Sequence, residues 1–169
     1  MNFFFNPNRH GNIIDPSFKH GKNFKIGNYC IIKEDCEVGD NVTIKDYVRL
    51  ASNTKIGNNC VIDSYVKSSG QNSIGDNVTI RYDSIIAREV TVEDDVFISP
   101  QVMTIYSTHE GVKKGGIVIG KGAFIGTNVT IGAGVKIGPN VIIGAKALVT
   151  KDCLEPGIYV GIPAKRLTK

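Results

Sequence analysis

His109 stands in the segment "MTIYSTHEGVKKGGIVIG" (103–120), followed at once by Glu110 and then by lysines and glycines. An imidazole with an ordinary pKa near ~6.5 is mostly neutral at pH 7 and can take a proton from a hydroxyl or ammonium group. Glu110 either orients that ring or is simply solvated. The other histidines, His10 and His20, lie at the N-terminal edge of the pattern described below. A zinc site built from three converging histidines is therefore not expected, and no metal is assigned. Four cysteines, Cys30, Cys36, Cys60 and Cys153, include no C-x-x-C pair. Their spacing places them with small core residues rather than with redox or metal chemistry.

The composition narrows the classes of function. The chain has 169 residues, 41% of them apolar, with 20 basic and 16 acidic side chains. One soluble globular domain is expected, with a net charge that permits an anionic ligand but leaves no nucleic-acid footprint. No segment approaches the ~20 apolar residues of a membrane span, and the opening "MNFFFNPNRHG" lacks the basic leader and apolar run of a signal peptide. A cytoplasmic location is the expectation.

What must position His109 is a repeat. Counting in sixes from Ile26, an aliphatic residue returns at Ile32, Val38, Ile44, Leu50, Ile56, Ile62, Ile74, Ile80, Ile86, Val92 and Ile98, with only Ser68 departing. The count resumes in a new phase at Ile119 and runs through Ile143 to Val149, so the segment around His109 is an insertion, and His109 is read as the one histidine inside the repeat. Four positions after each anchor comes a small or β-branched residue, the place all four cysteines occupy. Glycine follows many anchors and asparagine recurs two residues later, as at Gly39 and Asn41. Both tolerate positive φ, so each hexad is expected to end in a tight corner. No helix keeps a period of six with glycine and valine this dense, whereas a coil of short strands and corners does.

The two interlocked registers resemble those of the hexapeptide-repeat acyltransferases. The resemblance implies an all-β fold, a left-handed parallel β-helix of triangular section. Three hexads make a coil there, implying about six coils or a little more. One domain would cover 1–169, with an N-terminal cap over 1–13, an extruded active-site loop near 104–118 and a short C-terminal cap and tail over 155–169. "DVFISPQVMTIYSTH" is similar to the stretch before the loop histidine of galactoside and maltose acetyltransferases, and "IVIGKGAFIGTNVTIGAG…GIPAK" to their C-terminal half. The resemblance makes His109 the general base that deprotonates an acceptor attacking acetyl-CoA, with Tyr106 and Glu110 beside it as substrate-binding candidates. Only Ser107 and Thr108 separate Tyr106 from His109, one residue fewer than in the maltose type, and the loop from 109 to 118 is several residues shorter. "RYDSII" (81–86) falls at their acceptor-binding stretch, which implies acceptor roles for Arg81 and Asp83. Arg81 replaces an asparagine there, and its guanidinium suits a phosphate or carboxylate.

By the same resemblance, coenzyme A would lie in a groove between subunits of a homotrimer, along Phe124, Gly126, Thr127, Ala145 and Thr150, with Lys165 and Arg166 on its phosphates. The implied reaction is direct acetyl transfer to a hydroxyl or amine of a sugar or nucleotide-linked sugar, in polysaccharide biosynthesis. Alternatives are a streptogramin-type antibiotic O-acetyltransferase and a non-catalytic β-helix scaffold. A carbonic anhydrase of this fold is disfavoured by the histidine count, and an ice-binding face by the scatter of Thr43, Thr79 and Thr91.

Overall fold

A six-residue period leaves each hexad room for one two-residue strand and one corner. The computed structural model describes residues 9–109 and 116–168. Successive strands, such as Ile31–Ile32, Glu37–Val38 and Thr43–Ile44, lie on three flat faces in turn. Among the described residues, face 1 stacks eight parallel strands from Ile13–Ile14 to Leu148–Val149, and face 2 stacks seven from Lys19–His20 to Lys136–Ile137. Face 3 starts at Lys25–Ile26, rises to Ile142–Ile143 and ends in Ile158–Val160 paired antiparallel with Lys165–Arg166. The whole is a left-handed parallel β-helix of about eight turns. That exceeds the expected six or so, because rungs form at both ends without the full aliphatic pattern. His20 holds the anchor place in the first strand of face 2, and Ile158–Val160 adds a rung beyond the last hexad.

His20 thus lies inside the repeat, which corrects the reading of His109 as its one histidine. Its ring stacks on Phe24 at 4.9 Å, beside Phe18 at 5.9 Å.

Away from the insertion and the last rung, each residue lies over its equivalent 18 positions on, as in Ile26 over Ile44, Ile44 over Ile62 and Ile80 over Ile98. Neighbouring coils are therefore about 4.8 Å apart, the spacing of any sheet. Both registers point inward, and Ile80, Ile98, Val78, Val96 and the cysteines Cys30, Cys36 and Cys60 are at most 1% exposed. Burial pushes the Cys60 thiol up to about 11, which removes it as a nucleophile at neutral pH. Ser68 also faces inward, and its Oγ lies 2.7 Å from Thr54 Oγ1 and donates to Asn72 Oδ1 at 2.6 Å.

The glycines after the anchors play a different part from the one expected. Positive φ falls two residues later, at Asn41, Asn59, Asn77, Asn128 and Asn140. The glycines themselves let coils touch through bare backbone: a Cβ at Gly126 would stand 2.6 Å from Ala145 N, and one at Gly120 2.7 Å from Gly138 C. Tyr29, Tyr47 and Tyr65 take the same left-handed corner position as the asparagines, at a cost of ~1–2 kcal/mol each. Their rings stack at 5.2 and 4.9 Å, and such pairs return ~0.5–1.5 kcal/mol apiece.

Candidate active site

The insertion leaves the prism at the edge between faces 1 and 2. Residues 105–117 join Met103–Thr104 to Val118–Ile119, where the coil below makes the same corner with 87–90 alone. The register is undisturbed, since Val92 pairs with Ile119 and Ile98 with Ile125. A solenoid core repeats evenly, so such an outgrowth adds chemistry without breaking packing.

On the outgoing limb Tyr106 is half-buried against the core and its hydroxyl donates to Glu89 Oε1 at 3.2 Å. His109 is exposed and Thr108 Oγ1 is buried. Glu110 lies outside the described residues. Thr150 is exposed on this same edge, where Gly132 N donates to Val149 O beneath it.

The edge between faces 3 and 1 carries the other group. Arg81, Ser99, Gly126 and Gly144 form one column there, with Tyr82, Pro100, Thr127 and Ala145 beside it, as the bonds Gln101 N to Tyr82 O, Asn128 N to Pro100 O and Lys146 N to Thr127 O record. Asp83 is exposed at the corner of the lowest of these coils. Gly126 is buried and its amide donates to Ile143 O at 2.8 Å, so a ligand at this edge would meet Thr127 and Ala145, both exposed. Phe124 faces outward from face 3 and stacks on Phe97 at 5.5 Å.

Arg81 is not free-standing. Its Nε lies 3.0 Å from Asp63 Oδ2, and Lys45 Nζ lies 3.2 Å from Asp63 Oδ1. The Arg81 contact is an ion pair by distance, with the N–H turned off the line of a hydrogen bond. Although burial works to raise it, the Ser64 amide and the Lys45 and Arg81 charges hold the Asp63 carboxyl below its usual range. Lys45, Asp63 and Arg81 repeat at the coil spacing of 18, so the column is written in the sequence and shows only when charges are compared at that interval.

At the C-terminus Lys165 and Arg166 sit on the hairpin strand capping face 3. Arg166 Nη2 donates to Pro156 O at 2.5 Å, and a Cβ at Gly157 would meet Arg166 Nε at 2.7 Å. Arg166 therefore ties the tail to the turn before it, while Lys165 is exposed.

Within one chain, then, His109, Tyr106 and Thr150 share one edge, and Arg81, Asp83, Thr127 and Ala145 share the next, with face 1 between them. Face 2 turns Lys19, Glu37, Lys55, Ser73 and Lys136 outward, whereas faces 1 and 3 expose Met103, Phe124, Ile142 and Ile158. No group of three or more His, Cys, Asp or Glu among the described residues could hold a metal ion. No helix among them is long and apolar enough to cross a membrane.

The profile of the family described as the GMPPB C-terminal domain matches residues 9–118, and that of bacterial transferase hexapeptide (six repeats) matches 116–151. No curated protein sequence matches the chain. Among solved structures, the UDP-N-acetylglucosamine acyltransferase from Campylobacter jejuni superposes with a TM-score of 0.68 at 22% identity, over 92% of this chain and 72% of that one. A galactoside acetyltransferase in complex with coenzyme A gives 0.54 at 27% identity, over 78% and 64%. AntD, an N-acyltransferase from Bacillus cereus in complex with dTDP and coenzyme A, gives 0.55 at 23%, over 89% and 82%. The chain spans 56% of the length of the acetyltransferase domain of PglB from Neisseria gonorrhoeae and of the perosamine N-acetyltransferase from Caulobacter crescentus.

Proposed function

The chain belongs to the GMPPB C-terminal-domain family of hexapeptide-repeat proteins, and from that premise we propose that it is an acetyltransferase that moves the acetyl group of acetyl-CoA to a hydroxyl or amine of a sugar or nucleotide-linked sugar. The observation that carries this reading is the departure of 105–109 from an otherwise even solenoid among the described residues, which brings an exposed His109 to a prism edge. The galactoside acetyltransferase of like fold holds coenzyme A.

In this reading His109 takes the proton from the acceptor as its oxygen or nitrogen attacks the thioester carbonyl, and coenzyme A leaves as the thiol. Such a base contributes ~10²- to 10⁴-fold. A backbone amide near Thr127 or Ala145 steadies the oxyanion. No cysteine serves as nucleophile, since all four are buried.

The split of the candidate residues between two edges supports a homotrimer, in which one chain's loop edge meets its neighbour's Thr127 edge. Burial of the apolar residues on faces 1 and 3 favours the same assembly. Arg81 and Lys45 bracket Asp63 with one net positive charge, which supports an acceptor bearing a phosphate or carboxylate, as in polysaccharide precursors.

Release of free thiol from acetyl-CoA, read against a panel of neutral sugars, sugar phosphates and nucleotide-amino sugars, tests the reading. His109→Ala should lower turnover at least ~10²-fold while the melting temperature holds. Full activity in that variant would remove the histidine from the reaction, and failure of coenzyme A to bind in calorimetry would revive the scaffold.

A further inference from the structure

Ser68 and Asn72 break the aliphatic rule of the core, and Thr104 breaks it again two coils higher. All three lie at the edge from which the loop emerges. Asn72 is 2% exposed; its Nδ2 donates to Ala87 O at 2.6 Å, and its Oδ1 accepts from Ser68 Oγ and from the Gly70 amide. Thr104 Oγ1 accepts the Ala87 amide at 2.6 Å. Buried polar groups that satisfy one another hold a unique geometry, because each lost bond leaves a costly orphan.

The network reaches the loop through Glu89. Gly70 O accepts the Glu89 amide at 3.2 Å, so the corner that carries Glu89 is tied to the corner that Ser68 and Asn72 brace. Glu89 then meets both limbs of the loop. Its carboxylate accepts the Tyr106 hydroxyl at 3.2 Å on the outgoing limb. On the returning limb Gly116 passes so close that a Cβ there would stand 1.9 Å from Glu89 O.

We infer that Glu89 is a positioning residue. Its carboxylate holds the outgoing limb through Tyr106 while its main-chain carbonyl packs against Gly116 on the returning limb, with Ser68 and Asn72 as its buried footing, and so this clamp sets where His109 stands relative to the acceptor. The inference rests on the acetyltransferase reading for its catalytic consequence, though the clamp itself does not. Displacing a reacting group by about 1 Å can cost up to ~10²-fold in rate, so a loose root should show in turnover rather than in donor affinity.

The test compares Glu89→Ala, Glu89→Gln, Tyr106→Phe and the Glu89→Ala/Tyr106→Phe pair by steady-state kinetics with acetyl-CoA and by hydrogen exchange at the amides of 105–109 and 116–117. Glu89→Ala should lower kcat roughly 10- to 100-fold with KM for acetyl-CoA within about twofold. Glu89→Gln keeps an acceptor for the hydroxyl and should recover most of that loss. The double variant should be no slower than the worse single one, since both remove the same bond. Exchange should quicken at 105–109 in Glu89→Ala with the rest of the solenoid unchanged. Wild-type kcat and exchange in Glu89→Ala would overturn the clamp, as would multiplied losses in the double variant. If the purified protein transfers no acetyl group at all, exchange alone decides the clamp, and the enzymatic reading fails separately.

Discussion

Replacing Gly116 by alanine should force the returning limb of the loop off its seat. The new Cβ would lie 1.9 Å from Glu89 O and 3.1 Å from its carbonyl carbon. That carbonyl is held in place, since the Glu89 amide donates to Gly70 O at 3.2 Å and the adjoining Val90 O accepts from Ser73 N at 3.1 Å. Gly116 is held as well, because Ile117 is 1% exposed and its O accepts from Thr91 N at 2.8 Å. A carbon and an oxygen need well over 3 Å, so more than ~1 Å of backbone movement is required. Overpacking of this kind costs ~1–3 kcal/mol, and each kcal/mol is worth ~2–4 °C in a chain of this size, giving a fall of roughly 2–12 °C in Tm. Gly132→Ala is the control, for its Cβ would come no closer than 3.1 Å, to Val149 O, with Val135 Cγ2 at 3.6 Å and Thr150 Cα at 3.7 Å. Both variants stiffen the unfolded chain alike, by ~0.4–1 kcal/mol, so their difference isolates the clash. Scanning calorimetry reads the stability term and thiol release the rate, which should fall up to ~10²-fold in Gly116→Ala alone. If Gly116→Ala melts and turns over like the wild type, or if Gly132→Ala is hurt as badly, the close approach at Glu89 does not hold the loop.

Three further expectations follow from the ion pairs, the tail and the thiols. The Asp63 carboxyl is held below its ordinary 3.8 in the fold, so its stabilisation is complete above that value and is lost as pH falls through the folded pKa; Asp63→Asn should lose on the order of 1 kcal/mol at pH 7 and show a flatter acid limb in urea midpoints between pH 7 and 3. Arg166→Ala should lower Tm by loosening the tail from Pro156, whereas Lys165→Ala should leave Tm alone and weaken coenzyme A binding a few-fold in calorimetry, and the reverse pattern would exchange their roles. With Cys60 pushed up to about 11 and all four cysteines buried, an aromatic disulfide reagent at pH 8 should label none of them in the native protein and all of them in denaturant; rapid native labelling would contradict the inward register.

The six-residue period shows in the sequence because every hexad repeats the same physical demand, an aliphatic anchor and a small residue facing one narrow interior. From it follow the all-β class, the buried cysteines and the place of the insertion. The acceptor and donor candidates rest on the resemblance of short motifs, and a motif fixes a position along the chain rather than in space, so their grouping on two separate edges is not legible in it. Glu89 carries no motif, since it is an exposed carboxylate at a corner and acquires meaning only when Tyr106 and Gly116 are brought against it. The glycines misled for a related reason: the sequence marks that a side chain is missing, but whether for φ or for space depends on the coil above.

By itself the sequence determined which residues face inward and which recur, because burial and corner geometry act within a single hexad. Only the tertiary structure decided which residues become neighbours across coils: Arg81 on Asp63, Arg166 on Pro156, the loop root on Glu89. Those contacts depend on winding three hexads per turn, which sets residues far apart along the chain about 4.8 Å apart in space, on a terminal hairpin that folds the tail back, and on an insertion whose two limbs must close on one corner.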